Sequence, residues 1–254
     1  MPGGSLRDTE SDPVFFGALA AGVPETVEVV RVVTHAQAPE YVEVCVDRLT
    51  AQYEADTSPR NPSMSSLPTI PKATLERLIH SGTAAWDEFG LLASDRFHLF
   101  IPCDHLGAYE ELRKLRSRAT NFVEFGSAAG IVTIMADLLG YEAHGIEIEP
   151  WLVDRSAEIA AEFGSKAVFA EGSFVVPEYQ DEIELLSSDS HNPTGGANAF
   201  DELGLDLDDY DLIFAYPWPG DEEWLYELVR RHARPEALLL TYDVTEGFRV
   251  TQAG

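Results

Sequence analysis

Cysteine is almost missing from this 254-residue chain: only Cys45 and Cys103 occur, far apart and with no second Cys or His at metal-ligand spacing. That excludes a disulfide framework and a zinc site of ordinary spacing, and leaves two reduced thiols. Lysine is equally scarce. Lys72, Lys114 and Lys166 are the only three, the other cations being arginines. Seventeen Lys and Arg stand against 44 Asp and Glu, a formal net charge of -27. Such a field repels phosphate backbones, whose neutralisation by Lys and Arg supplies most non-specific nucleic-acid affinity, so nucleic acid is disfavoured as a partner. No apolar run approaches the roughly 18 residues that span a bilayer, and no membrane partner is expected. The opening residues MPGGSLRDTESDPV lack a basic region followed by an apolar segment, so they do not read as a signal peptide, and a cytoplasmic location is expected.

What is present suffices for a core, since 45% of the residues are hydrophobic. Residues 1–12 read as a disordered leader. TVEVVRVVTH (26–35) is β-branched and reads as a strand, while APEYVEVCVDRLTAQYEA (38–55) reads as a helix. The Ser- and Pro-rich stretch 56–71 is a connector, and helical patterns follow at about 72–89 and 105–117. Residues 13–118 are therefore expected to form a mainly helical N-terminal cap or lid.

From residue 119 strands and helices alternate. NFVEF (121–125), EAHGIEI (142–148), AVFAE (167–171), DLIFAY (211–216) and ALLLTY (237–242) read as strands. Ile131, Ile134, Met135 and Leu138 follow the spacing of a buried helix face, with Gly140 as its stop. Pro150 opens a further helix that Gly164 ends, and 221–234 has acids in its first turn and bases in its last. Repeated βα units predict an α/β, Rossmann-like, doubly wound and mostly parallel sheet over 119–254. The basic clusters RKLRSR (113–118) and RRHAR (230–234) sit at helix ends, where cations complement the dipole. Residues 175–209, long, acidic and turn-rich, read as a solvated flap or disordered insertion.

In such a sheet a ligand sits beyond the strands' C-terminal ends, where a glycine turn lets backbone N–H groups approach it. Phe125 ends a strand, Gly126 and Gly130 open the turn, and a buried helix follows. Glu147 comes 21 residues after Gly126, near the spacing at which a carboxylate accepts ribose hydroxyls. An acid there repels a 2'-phosphate and disfavours NADP. A dinucleotide fingerprint would require glycine at 126, 128 and 131, but Ala128 and Ile131 stand at two of them, which argues against NAD and FAD.

VEFGSAAG followed by GIEIEP resembles motifs I and II of the class I S-adenosylmethionine (SAM) dependent methyltransferases, and FAEGSF and DLIFAYPWPG are similar to the third and fourth. The resemblance covers residues 119–242. It implies SAM as cofactor, with Glu124 and the turn Gly126, Ser127 and Gly130 facing its methionine part, Glu147 its ribose, Ile148 its adenine, and Gly172 with Ser173 the adenine edge. Two positions depart from the pattern: Ala128 replaces a glycine, and Ser173 stands where an acid is common. The family also closes its sheet with two further strands, whereas DVTEGFRVTQAG leaves room for one. Either 26–35 supplies the missing edge or a partner covers it.

The fourth core strand ends in AYPWPGDEE (215–223), where substrate would meet cofactor. Tyr216 and Trp218 could form an aromatic wall beside a sulfonium, a cation attracted to π faces. Where base N-methyltransferases carry an amide or carboxylate, this chain has Tyr216, which moves the reading away from bases and towards a small-molecule acceptor, less readily a protein side chain. Asp104, His105 and His191 are candidate bases, Asp104 being more simply a helix cap. A SAM-fold protein that binds without turnover and an NAD-linked oxidoreductase are the alternatives.

Overall fold

The computed structural model describes residues 30–34, 42–46, 68–92, 103–180, 196–218 and 220–254. The chain divides at Asn61/Pro62 into two units. In the first, β1 (Val30–Thr34) and β2 (Val42–Val46) pair antiparallel in a sheet of their own. This corrects two expectations. Val42, Val44 and Val46 alternate with Glu43 and Cys45, and that period of two prevails over the helix expected there. The strand within 26–35 forms as expected, but its partner is β2, so it does not serve as an edge of the main sheet. The leader 1–12 lies outside the described residues.

The second unit begins well before residue 119. α1 (Lys72–Leu92) and α2 (His105–Leu115), assigned from the sequence to an N-terminal cap, lie within it together with β3 (Asn121–Phe125), α3 (Ile131–Leu138), β4 (Glu142–Glu147), α4 (Pro150–Phe163), β5 (Val168–Glu171), α5 (Ala199–Leu203), β6 (Leu212–Ala215), α6 (Glu222–His232), β7 (Leu238–Asp243) and β8 (Gly247–Gln252). The sheet order is β5-β4-β3-β6-β7-β8, parallel throughout except for β8, which returns antiparallel against β7. The fold is thus the expected Rossmann-like doubly wound sheet, with one strand closing its edge. Strand order reverses between β3 and β6, so a crevice opens at the C-terminal ends of those strands, the switch point where such sheets bind ligands.

Alternation along the strands feeds two cores. Phe122, Leu212, Phe214, Leu238 and Leu240 face α1 to α4 on one side, and Val123, Phe125, Ile213, Ala215 and Leu239 face α5 and α6 on the other. α3 is buried on nearly every side, Leu138 alone of its expected inward residues being only partly covered. α1 lies along α4: Arg77 pairs with Glu162 at 3.2 Å, and the Phe89 ring stacks on Trp151 at 5.7 Å. The insertion is not merely a solvated flap, because Val175, Tyr179, Ala199, Phe200 and Leu207 are buried in the second core. No described helix is long and apolar enough to cross a membrane.

The basic clusters are structural, as expected. Arg113 and Lys114 pair with Glu110 and Glu111 on α2, and Arg230 and Arg231 pair with Glu227 on α6. Arg116 does more: it donates to the carbonyls of Leu139 (3.1 Å), Ala119 (2.9 Å) and Gly140 (2.6 Å), and its guanidinium lies 5.0 Å over the Tyr141 ring. It therefore satisfies carbonyls just past the C-terminus of α3. Arg116→Met, which keeps the aliphatic stem, should cost about 2 kcal/mol of unfolding free energy in urea, because these bonds are charge-assisted. An unchanged midpoint would show that water replaces the guanidinium at no cost.

Candidate functional site

The turn after β3 is held from both sides. Gly126 (φ 70) and Gly130 (φ 73) take left-handed conformations, and between them Ala128 (φ 46) is the only non-glycine with positive φ among the described residues. A left-handed alanine costs about 1–2 kcal/mol. The cost is met by bonds at both ends of the residue: Ala128 N–H donates to Glu147 Oε2 at 2.8 Å, and its carbonyl accepts from Ser156 Oγ at 2.9 Å. Ala128→Gly should therefore stabilise the protein by up to about 1 kcal/mol, the relieved strain being partly offset by the freer unfolded chain. A loss of stability on that substitution would show that the alanine methyl contributes packing that outweighs its backbone strain.

The two glycines have different tasks. A Cβ on Gly126 would meet nothing within 4 Å, so its exposed face borders open space at the crevice. A Cβ on Gly130 would strike the Phe169 ring at 2.7 Å and Ser156 Cβ at 2.9 Å, so this glycine serves close packing against β5 and α4. Ser127 N–H donates to the Ile146 carbonyl at 2.9 Å, tying the turn to β4. The Ser127 hydroxyl is buried without a hydrogen-bond partner among the described residues, and it faces Gly145, where a Cβ would lie 2.8 Å from Oγ. Its side chain therefore lies against β4.

Glu147 is far from being a solvated strand end. It is 8% exposed, and beside Ala128 it accepts from Ile148 N–H (2.8 Å) and Glu149 N–H (3.1 Å) on Oε1. Burial pushes its carboxyl up while these three donors pull it down, and burial prevails. A carboxylate offers about four lone-pair sites, so the three bonds leave one, on Oε2, for a ligand hydroxyl. Glu124, in β3, is buried beside it. Its Oε2 accepts from Thr133 N–H at 2.9 Å and from Thr133 Oγ1 at 2.5 Å, satisfying an N-terminal amide of α3. Burial pushes the Glu124 carboxyl up to about 8, with the nearby Glu147 charge adding to the shift.

At the end of β5, Gly172 N–H donates to the Glu147 carbonyl at 2.9 Å. Ser173 N–H donates to the Ala197 carbonyl at 2.8 Å, and Ser173 Oγ accepts from Val175 N–H at 3.1 Å. Ile148 follows β4, half-buried, on the same edge of the sheet.

Across the crevice, Tyr216 follows β6 and meets Tyr242 of β7 edge-on at 5.0 Å; Tyr242 in turn tilts on Phe248 at 4.7 Å. Burial raises the Tyr216 phenol, with Tyr242, Cys103 and Asp243 adding to it. Burial likewise raises the Cys103 thiol, helped by Glu124 and Asp104. Trp218 is half-buried, and its carbonyl accepts from Asp221 N–H at 2.9 Å in the turn leading into α6. Asp104 caps α2, accepting from Gly107 N–H at 3.0 Å, the simpler of its two expected roles. His105, beside it, is held down to about 4 by burial and is neutral at pH 7. His191 lies outside the described residues.

No protein-family model and no curated protein matches this sequence. Solved methyltransferase structures do. One is an RNA methyltransferase from Salinibacter ruber in complex with S-adenosyl-L-homocysteine, 18% identical, with 56% of this chain and 78% of that chain covered and a TM-score of 0.41. Another is the O-methyltransferase from Bacillus cereus in complex with SAH, 16% identical over 73% of this chain and 72% of that one, with a TM-score of 0.43. Thr133, Ser156 and Tyr242 touch Glu124, Ala128 and Tyr216, and sequence reasoning missed them. Only Thr133 left a signal, as a hydroxyl in the first turn of a helix facing an acid at the end of the preceding strand.

Proposed function

We propose that this protein binds S-adenosylmethionine at the β3 turn and transfers its methyl group to a small-molecule acceptor. The observation that carries the reading is the buried Glu147 carboxylate, which ties Ala128 of the Gly126–Gly130 turn to the start of α4 and keeps one acceptor site. These residues suit the cofactor's ribose and methionine parts: a hydroxyl acceptor, a second buried carboxyl at Glu124, and a turn free of side-chain bulk. SAM, when bound, supplies an electrophilic methyl on a sulfonium.

The chain's own contribution is placement and the exclusion of water. Glu124 and Glu147, on β3 and β4, would hold the cofactor's methionine and ribose parts. Tyr216 lies edge-on to Tyr242 where β6 and β7 end, and burial keeps its phenol protonated at neutral pH. It can therefore donate a hydrogen bond that orients an acceptor, but it does not act as a resting base. His105, neutral with a low proton affinity, is a weak base, so an acceptor that loses its proton readily suits this site best. α1 and α2 pack against α3 and α4 within the sheet-bearing unit. The acid excess argues against an RNA or DNA acceptor.

Thermal unfolding with SAM, S-adenosylhomocysteine and NAD tests the reading, because ligand at 100 times its dissociation constant adds about 2.7 kcal/mol to the native state. A shift with the first two and none with NAD is expected. Methyl transfer to an acceptor panel then separates an enzyme from a protein that binds cofactor without turnover. A folded sample that shifts with neither SAM nor its product would overturn the proposal.

A further inference from the structure

The insertion between β5 and α5 leaves the sheet at Ser173 and comes back to the same residue. Ser173 N–H donates to the Ala197 carbonyl at 2.8 Å, Ala199 N–H donates to the Ser173 carbonyl at 3.1 Å, and Ser173 and Asn198 form a parallel bridge. The approach is close enough to require glycine. A Cβ on Gly172 (φ 144) would lie 2.4 Å from the Ala197 carbonyl oxygen. Gly196, also at φ 144, lies over Ile148: a Cβ there would come 3.7 Å from Ile148 Cδ1.

This limb is anchored from below. Asn198 Oδ1 accepts from Phe200 N–H at 3.3 Å, and Phe200 is buried edge-on to Phe125 at 6.5 Å. Phe125 is the residue just before the ligand turn, and Phe174 stacks on it at 4.5 Å. Ala199 and Phe200 are buried, while Gly196 and Ala197 are exposed on the crevice side of that anchor.

We infer that Gly196–Ala199 is a wall of the cofactor site, closing the outer side of the subsite for a flat nucleobase at Ile148 and Ser173. This inference rests on the proposed function and adds to it a role for the insertion in holding the nucleobase. Ser173 Oγ accepts from Val175 N–H, and the limb sets its backbone directly beside that residue. Glycine at 196 keeps the wall thin above Ile148.

The test is hydrogen exchange with and without saturating S-adenosylhomocysteine, together with titration of Gly196→Val. Bound ligand should slow exchange of the Ala199 amide several-fold and leave unchanged the amides of Thr251 and Gln252, which pair with the start of β7, away from the crevice. Gly196→Val, whose side chain would reach Ile148, should weaken S-adenosylhomocysteine roughly 10-fold. If that variant does not fold, the wild-type exchange decides alone. Ligand that binds with no change at Ala199, or a folded Gly196→Val with wild-type affinity, overturns the wall. Complete failure to bind overturns the proposed function instead, and the wall with it.

Discussion

Glu147→Ala is expected to lose both stability and cofactor. Its removal strands the N–H groups of Ala128, Ile148 and Glu149, and each buried donor left unpaired costs about 1–3 kcal/mol where water cannot follow. Because the carboxylate is 8% exposed, water reaches part of the site, so a total of about 3 kcal/mol is expected in urea unfolding. The left-handed Ala128 also loses one of its two fixing bonds, so the turn should relax. Affinity for S-adenosylhomocysteine should then fall roughly 10- to 100-fold, the range of a charge-assisted hydrogen bond. Glu147→Gln separates the effects: it keeps one acceptor for the turn but places a donor against another N–H. Unfolding and titration of both variants are the measurements. Unchanged stability in Glu147→Ala would show that the three bonds do not organise the turn.

The second large effect follows from Glu124. A carboxyl whose folded value is raised from 4.5 to about 8 favours the native state while it is protonated. That contribution is fully present below about pH 4.5 and is lost as the pH rises through about 8. Wild-type stability should therefore decline across this window, and Glu124→Gln, neutral throughout, should remove that part of the slope. At pH 9 the variant should exceed wild type by at least about 1 kcal/mol. If the cofactor's ammonium group pairs with Glu124, binding must also expel the proton. Affinity would then increase up to about tenfold per pH unit below 8, and Glu124→Gln should bind weakly at every pH. Calorimetry in two buffers of different ionisation enthalpy reads the released proton directly. A flat pH profile for both stability and binding would mean that Glu124 is ionised in the folded protein throughout.

These two acids illustrate how much of the site was legible. Both were located from short patterns: Glu124 two residues before the first turn glycine, and Glu147 at the end of the next strand. Their partners were not. Thr133 lies nine positions from Glu124, and Ala128 nineteen from Glu147, distances closed only by the βα crossover. The different tasks of Gly126 and Gly130 were equally invisible, because a Phe169 ring from another strand decides them.

The sequence by itself determined the alternation of elements, since strand and helix periods, Pro150 at a helix start and Gly164 at its end act within a few residues. Among the described residues it misassigned Val42–Val46, a short valine alternation inside the stretch 38–55, where the two periods compete. Tertiary structure alone decided which elements meet. It set α1 and α2 against α3 and α4, and returned the insertion from Asn198 to Ser173. Such contacts depend on closing long loops around a buried core. That is a property of the whole packed chain, and no local pattern encodes it.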